Sequence, residues 1–393
     1  MTTENQHRSI LLTDYMNEVE PTDRLSAGDT EPILLGLFGE VGSLLSELKK
    51  RRRDKEPQQL YARNQLEEFG DALWYFSTLA ARASRTLEDI ARLALAMPDS
   101  SLPAYTGEPL PTRFLELQSG VQNIGPSDET MLSSLLELGF YAGQIVGDSN
   151  KIGLGTEELG VLGDSLQCFF RHFIAAANGA GLSLDTAALK NLEKTESRWP
   201  ALRVHSERFD KNADPEERFP DEIRMEFRQK KLKDKKYVYQ RWNEVNIGDR
   251  LTDNSTEEDD FRFHDVFHLA HYAILGWSPV LRALLRLKRK GEPKTDEVED
   301  GARAILIEEG IATWVFTHSK ELAFFRDTDR LEYGLLKSIH RLTIGLEVNT
   351  CGLWEWERAI LDGYAAFRSL RENEGGIIIA SLATRLIGYE RLK

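Results

Sequence analysis

Apolar residues recur at helical spacing in two neighbouring stretches near the start of the chain. The first stretch lies within 33–48 and the second within 66–79, and each places its apolar side chains on one helical face. Pro32 stands where the first turn of a helix accepts proline, and the basic run 49–53 stands where cations complement the helix dipole. The pattern therefore predicts amphipathic helices within about 22–96.

A similar apolar pattern returns after 98–112, a segment rich in proline, serine and glycine that is typical of a connection. The Gly-Asp pairs that end at Asp71 and Asp164 align, although the spacing to the preceding glycines differs by several residues. Internal similarity of this kind changes the fold prediction, because a repeated unit packs with its copy. We therefore expect two tandem repeats, one over 1–100 and a degenerate one over 113–202.

The second half of the chain has a different pattern. Residues 203–236 are densely charged, which predicts a linker, and 237–251 is typical of two short strands with a turn around Asn243. Helical periodicity then predicts helices over 262–275, 278–290, 297–319, 331–346, 354–371 and 377–390. The predicted fold is mainly α, with a helical C-terminal domain over 237–393 that contains a small β-hairpin.

The composition is that of a globular protein, with 41% hydrophobic and 29% charged residues. The apolar runs fall far short of the ~20 residues that a membrane span needs, no secretory signal opens the chain, and its two cysteines suit a reducing compartment. We therefore expect a cytoplasmic protein that does not bind membranes. The net charge of −14 argues against broad nucleic-acid binding, but it leaves carboxylates available for a divalent metal.

Four carboxylates share faces of the first two predicted helices. Glu40 and Glu47 are seven residues apart on the first helix, and Glu68 and Asp71 are three apart on the second. Carboxylates that crowd one small volume repel one another and raise their own pKa values unless a cation neutralises them. Mg²⁺ prefers such oxygen ligands, and Mn²⁺ also accepts them. The alternative is that these residues form ordinary solvated faces of amphipathic helices.

The carboxylates lie in the segments GEVGSLLSELKK and EEFGDALWYF. These two segments resemble the MazG-like, all-α nucleoside triphosphate pyrophosphohydrolase family, which has an ExxE motif on one helix and ExxD on the next. Glu40 matches the first glutamate and Glu68 with Asp71 matches the second pair, whereas Ser43 replaces the second glutamate of ExxE. The resemblance covers about 10–200. It implies a helical bundle that hydrolyses a (deoxy)nucleoside triphosphate to the monophosphate and pyrophosphate.

The resemblance also implies a role for each matched residue. Mg²⁺ would be held by Glu40, Glu68 and Asp71, with Glu47 covering for Ser43, and a carboxylate would orient the attacking water. Family members usually form the bundle by dimerisation. This chain could form a homodimer, or its tandem repeats could form the bundle within one chain.

Residues that would bind the substrate come from both repeats. Trp74 and Tyr75 follow Asp71 and could stack on a base, with core packing as the alternative for both. At the end of the second repeat, Asn191, Lys194 and Arg198 share one helical face and match the family's phosphate contacts. The first repeat has no such set, so one repeat would supply metal ligands and the other cationic donors.

A histidine cluster marks the predicted C-terminal domain. His264, His268 and His271 lie on one helical face, and an i, i+4 histidine pair is the usual helical metal clamp. Glu308 and Glu309 stand in an otherwise apolar helix, where an unpaired carboxylate would be costly. His264, His268 and Glu309 have the composition of a two-histidine, one-carboxylate site for a transition metal. The alternative is a structural polar network.

Three functions follow from these patterns. The leading hypothesis is a Mg²⁺-dependent nucleotide pyrophosphohydrolase that cleanses the nucleotide pool or acts in an antiphage or stress response. The second is a regulatory module that binds nucleotide without turnover, because Ser43 interrupts the motif. The third is a metalloenzyme whose main site is the C-terminal histidine and glutamate cluster.

Overall fold

The chain divides into two units, Met1–Ala201 and Leu202–Lys393, and each has its own hydrophobic core. The computed structural model describes residues 9–26, 29–55, 57–96, 112–120, 128–152 and 162–392. Nearly all of the predicted connection 98–112 lies outside these residues. Over the described ranges, no helix combines the length and the apolar character that a membrane crossing requires.

The described part of the first unit is built from helices. They are α1 (Leu12–Val19), α2 (Glu31–Asp54), α3 (Gln58–Arg82), α4 (Leu87–Ala96), α5 (Phe114–Gly120), α6 (Asp128–Ile152), α7 (Gly163–Ala180) and α8 (Leu184–Arg198). The predicted amphipathic helices correspond to α2 and α3, whose apolar faces are buried, for example at Leu37, Leu44, Phe69 and Phe76.

Helices of the two predicted repeats pack reciprocally. Helix α2 packs against α3 and α6 packs against α7, which gives one helix pair in each repeat. Helix α4 then packs against α7, and α8 packs against α3. The last helix of each repeat therefore packs against the helix pair of the other repeat, and this arrangement places α8 beside α3. The duplication itself stays a prediction.

The second unit combines helices with a five-stranded antiparallel sheet of order β3-β2-β1-β4-β5. The strands are β1 (Glu222–Leu232), β2 (Lys235–Trp242), β3 (Val245–Leu251), β4 (Gly375–Ser381) and β5 (Leu386–Glu390). The helices are α9 (Asp265–Ala270), α10 (Pro279–Leu285), α11 (Pro293–Val298), α12 (Ala302–Lys320), α13 (Tyr333–Leu342) and α14 (Leu353–Glu372). Helix α9 continues as a π-helical turn over His271–Leu275.

The prediction of a mainly α fold is confirmed, but the predicted linker 203–236 is wrong. This segment contains β1, the central strand of the sheet, which pairs with β2 on one side and β4 on the other. Along β1 the buried residues Ile223, Met225 and Phe227 alternate with charged ones. The high charge of the segment therefore comes from the exposed face of a half-buried strand.

The predicted helix over 377–390 is also wrong, because this segment forms most of β4 and all of β5. Three consecutive isoleucines, 377–379, favour a strand, and a short apolar run does not distinguish strand from helix by periodicity. Gly375 begins β4 at a φ of +136°, where a Cβ atom would lie 2.5 Å from the carbonyl oxygen of Phe227. The predicted hairpin around Asn243 is confirmed as β2–β3, but it is part of a larger sheet.

Candidate functional site

Glu40 of α2 and Glu68 and Asp71 of α3 form one carboxylate cluster in the first unit. Each offers an oxygen within 4.8 Å of the other two. Burial, followed by the neighbouring carboxylates of Asp71 and Glu68, raises the pKa of Glu40 to about 8. Burial also raises the pKa of Glu68, and it raises that of Asp71 although Lys194 opposes the rise. Because negative charge is penalised here, the cluster is suited to a hard divalent cation with oxygen ligands.

Two side chains of α8 contact the cluster at Asp71. The ammonium of Lys194 donates to both carboxylate oxygens of Asp71, at 2.7 Å and 2.5 Å. The amide Nδ2 of Asn191 donates to Asp71 Oδ1 at 3.0 Å. The structure thus brings a carboxylate from the first predicted repeat together with an ammonium and an amide from the second.

The close approach of α8 to α3 depends on Gly70, the residue before Asp71. A Cβ atom at this position would lie 2.9 Å from the carbonyl oxygen of Ala187 and 3.0 Å from the Cβ of Asn191. Both distances are too short for carbon, so any side chain at 70 would displace α8. A glycine here therefore allows Asn191 and Lys194 to reach Asp71.

We expect Gly70→Ala to lower the free energy of unfolding by about 1–3 kcal/mol, because the added methyl group overlaps the backbone of α8. Urea denaturation of the full chain measures this effect. The control is Gly147→Ala in α6, where a Cβ atom meets nothing within 4 Å. That substitution should stabilise its helix by up to ~1 kcal/mol through helix propensity alone. Equal effects of the two substitutions would contradict the close-packing role of Gly70.

Two tyrosines complete the surroundings of the cluster. Tyr15 of α1 is fully buried, and its hydroxyl donates to Asn191 Oδ1 at 3.2 Å, which directs the Asn191 amide group towards Asp71. Sequence reasoning missed Tyr15, because a tyrosine within an apolar helical stripe is indistinguishable from an ordinary core residue. Tyr75 is half-buried, and its pKa is raised by burial and then by Glu40 and Asp71, with Arg198 opposing. Tyr75 and Arg198 therefore lie beside the carboxylates.

Two predicted site residues are not part of the cluster. Glu47 is buried away from it, where it pairs with Lys50 and accepts a hydrogen bond from Asn64 Nδ2 at 3.2 Å. Glu47 therefore does not substitute for the second glutamate of ExxE, whose position Ser43 occupies. Trp74 is buried, and its Nε1 donates to Thr22 Oγ1 at 2.9 Å, which corresponds to core packing rather than to base stacking. Glu47 shares a helical face with Glu40 but lies two turns, about 10 Å, further along α2, so it does not reach the cluster.

The second unit brings together the predicted residues His264, His268 and Glu309. Each offers a ligand atom within 4.8 Å of the others. His264 and His268 flank one turn of α9, and Glu309 comes from α12. His264 Nε2 lies 3.9 Å from Glu309 Oε2, and His268 Nε2 lies 3.5 Å from Glu309 Oε1. The two histidine rings are buried, whereas 37% of the Glu309 side chain is exposed.

Glu308, the residue before Glu309, is enclosed by donors. One oxygen accepts a hydrogen bond from His271 Nδ1 at 3.0 Å, and the other accepts from Ser278 Oγ at 3.1 Å and from the backbone NH of Val280 at 2.9 Å. His268 Nδ1 also lies 3.0 Å from Glu308. Burial opposes ionisation of Glu308, but His268 and His271 outweigh it and lower its pKa to about 2. Glu308 thus anchors the histidines as a buried anion.

Sequence reasoning missed the support that β2 gives to this cluster. The Gln240 side chain is buried although it lies on a strand among polar residues, and its amide donates to Asp265 Oδ2. The other oxygen of Asp265 lies 3.0 Å from His264 Nε2. Strand alternation offered a signal, because Gln240 shares the buried face of β2 with Val238.

Comparison with known proteins identifies one family. Residues 204–393 match the family model of the MazG C-terminal domain. No curated protein and no solved structure matches the chain. The matched residues lie outside the stretch of about 10–200 in which the MazG-like motifs occur, so the two likenesses rest on different residues. The second unit is therefore similar to the MazG C-terminal domain, and this match supports membership of the chain in the MazG-like family.

Proposed function

We propose that the chain is a Mg²⁺-dependent nucleoside triphosphate pyrophosphohydrolase with its site on α2, α3 and α8. The observation that carries this proposal is the contact of Lys194 and Asn191 with Asp71. It joins the carboxylates of the ExxE and ExxD segments to two residues that the family resemblance assigns to phosphate binding. Distant parts of the sequence thus supply the two halves of a site for a metal-bound triphosphate.

The donor set fits Mg²⁺, because Glu40, Glu68 and Asp71 offer only hard oxygen ligands and because burial, followed by neighbouring carboxylates, raises their pKa values. Held by these three residues, Mg²⁺ would bind phosphate oxygens and lower the pKa of a bound water. Mn²⁺ would meet the same ligands.

The remaining residues suit the binding and cleavage of a triphosphate. Lys194 and Arg198 lie on one face of α8, so they would offset the charge of the departing pyrophosphate. A carboxylate of the cluster would orient the attacking water. Tyr75, half-buried and close enough to the carboxylates and Arg198 for them to shift its pKa, would be the aromatic that contacts the nucleoside.

Ser43 favours a second candidate function, nucleotide binding without turnover. It occupies the position of the second glutamate of ExxE, and Glu47 does not take its place because Glu47 pairs with Lys50 and Asn64. The cluster therefore has three carboxylates where the family motif supplies four. A regulatory module would retain the nucleotide in such a site.

A panel of NTPs and dNTPs, assayed with Mg²⁺ for pyrophosphate release, separates these functions. We expect release from the wild type above a Glu68→Ala control. Nucleotide binding without release above this control would leave the regulatory module. Release that survives Glu68→Ala but is lost in Glu309→Gln would instead place the chemistry in the C-terminal domain.

Mg²⁺ affinity should increase with pH, because the cation competes with protons on Glu40. The pKa of Glu40 is about 8 in the folded chain and near the ordinary 4.5 when unfolded. Below about pH 8 the metal must displace a proton, so the apparent Kd should fall by up to about tenfold per pH unit as pH rises towards 8. Isothermal titration calorimetry at pH 6.0 and 8.5 measures the change. Glu40→Gln is the control and should remove most of the pH dependence of the apparent Kd. An unchanged pH dependence in this variant would exclude Glu40 as the group whose proton Mg²⁺ displaces.

The same shift makes stability without divalent cation depend on pH. The folded state binds the additional proton, so the contribution of Glu40 is fully present below about pH 4.5 and is lost as pH rises through about 8. Solvent screening at a half-buried residue limits the loss to about 1–2 kcal/mol. Urea unfolding in EDTA should show this decline, and saturating Mg²⁺ should reverse it.

A further inference from the structure

The ring of His268 is buried without a hydrogen bond. Its side chain is 2% exposed, and neither Nδ1 nor Nε2 has a hydrogen-bond partner among the described residues. Glu308 lies 3.0 Å from Nδ1 and Glu309 lies 3.5 Å from Nε2, but neither contact has hydrogen-bond geometry. A buried polar ring in this state is costly unless another group completes its contacts.

The neighbouring contacts direct histidine Nε2 atoms towards Glu309. His264 Nδ1 contacts the backbone carbonyl oxygen of Phe261 at 2.9 Å, so Nδ1 donates and Nε2 is the ring nitrogen that faces Glu309 and Asp265. His268 Nδ1 faces the buried Glu308 carboxylate, which leaves its Nε2 on the side of Glu309. Histidines that bind metal in proteins are oriented in this way, with the second ring nitrogen directed at a carbonyl or a carboxylate.

We propose that His264, His268 and Glu309 bind one divalent transition-metal ion through the two Nε2 atoms and a Glu309 oxygen. This site lies in the MazG C-terminal domain and is independent of the pyrophosphohydrolase proposed for the first unit. Glu308 holds the histidines from behind and is not a ligand, because its oxygens already accept from His271, Ser278 and Val280.

The donor atoms determine the class of metal. Two imidazoles and one carboxylate suit Zn²⁺, Fe²⁺, Mn²⁺ or Co²⁺ and do not suit Mg²⁺, which prefers oxygen ligands. The part-exposed Glu309 gives the metal access to solvent, so a coordination position would remain open to water or a small ligand. Asp265, 3.0 Å from His264 Nε2 and held by Gln240, is placed to contact that ligand or to become a fourth donor.

A metal-free network is the competing explanation. Burial disfavours a charged His268, but Glu308 and Glu309 outweigh it and raise the pKa of the ring well above its ordinary value. An imidazolium could therefore take the place of the metal. It would not explain why both ring nitrogens lack aligned acceptors, and the two explanations differ in metal stoichiometry.

Co²⁺ titration of the full chain tests the proposal. The chain is purified without an affinity tag, stripped with EDTA and titrated with Co²⁺ alone while visible absorption is recorded, and Zn²⁺ is then added as competitor. The titration is carried out on the Glu68→Gln variant, which lacks one ligand of the N-terminal carboxylate cluster. Co²⁺ bound by this variant is therefore assigned to the C-terminal site, whether or not the N-terminal cluster binds metal in the wild type. We expect about one Co²⁺ per chain in this variant, displaced by Zn²⁺.

Substitutions at the C-terminal cluster assign the ligands. Glu309→Gln and His268→Asn should each weaken Co²⁺ binding at least tenfold, and Glu308→Gln should weaken it by about 10- to 100-fold by releasing the rings. His318→Asn, a histidine on the same helix as Glu309, should leave it unchanged. Glu309→Gln keeps the test valid if His268→Asn does not fold, because Glu309 is part-exposed. Absence of Co²⁺ absorption in the parent, or equal affinity of Glu309→Gln and the parent, would overturn the proposal.

Discussion

Asp71→Asn is expected to lower kcat for triphosphate hydrolysis by about 10³-fold. The substitution preserves size but removes a negative ligand of the proposed Mg²⁺ site. It also leaves Lys194 without the carboxylate that it contacts at 2.7 Å and 2.5 Å. Both halves of the proposed site are therefore affected by one substitution. Pyrophosphate release at saturating Mg²⁺ and nucleotide measures the loss.

Asp164→Asn is the matched control. Asp164 aligns with Asp71 in the second predicted repeat, but it is exposed and accepts a hydrogen bond only from Gln167 among the contacts of the described residues. Its replacement should change kcat by less than about twofold, since surface substitutions away from a site are close to neutral. Equal losses in the two variants, or normal turnover in Asp71→Asn, would exclude the proposed site.

The sequence predicted the residues of the carboxylate cluster better than their surroundings. Helical phase placed Glu68 and Asp71 on one face, and the family resemblance matched Asn191 and Lys194 to phosphate binding. Phase alone also grouped Glu47 with Glu40, although Glu47 instead pairs with Lys50. Periodicity describes one helix at a time, so it cannot identify the neighbour that each face meets.

The contact of α8 with α3 belongs to tertiary structure, and the sequence contains only an indirect indication of it. Gly70 reads as a small residue within a helix, where glycine is ordinarily unfavourable. Its purpose becomes clear only from the 2.9 Å between its Cβ position and the carbonyl oxygen of Ala187. The role of Tyr15, which orients Asn191, cannot be recognised from the sequence either, because its position in the pattern is that of any buried aromatic residue.

In the second unit, patterns of spacing predicted the β2–β3 hairpin and the helices around the histidine cluster, but not strands β1, β4 and β5. His264 and His268 lie one helical turn apart, as their spacing predicts, and Glu309 offers a ligand atom within 4.8 Å of both. By contrast, local patterns predict a linker where strand β1 lies and a helix where strand β4 lies. Their pairing with each other is a contact between residues about 150 apart, for example Met225 with Ile378, which local periodicity does not encode.

The largest expected effect on stability is that of Glu308→Gln, which should lower the free energy of unfolding of the second unit by about 3–5 kcal/mol. Glu308 is fully buried, its oxygens accept from His271, Ser278 and Val280, and one of them lies 3.0 Å from His268 Nδ1. A neutral amide is nearly the same size but removes the anion and presents two donors to groups that are themselves donors. Guanidinium unfolding in EDTA, followed by tryptophan fluorescence, measures the loss without contributions from bound metal.

Glu309→Gln provides the comparison that isolates burial, because it makes the same chemical change one residue away on α12. The Glu309 side chain is 37% exposed and lies 3.5 Å and 3.9 Å from its histidine neighbours, so water can replace much of what the substitution removes. Its cost in EDTA should therefore stay below about 1 kcal/mol. Trp356, whose ring lies 5.4 Å from that of His271, places a fluorescent reporter beside the site of both changes. If the two variants unfolded at the same denaturant concentration, Glu308 could not be the buried anion that holds this histidine cluster together.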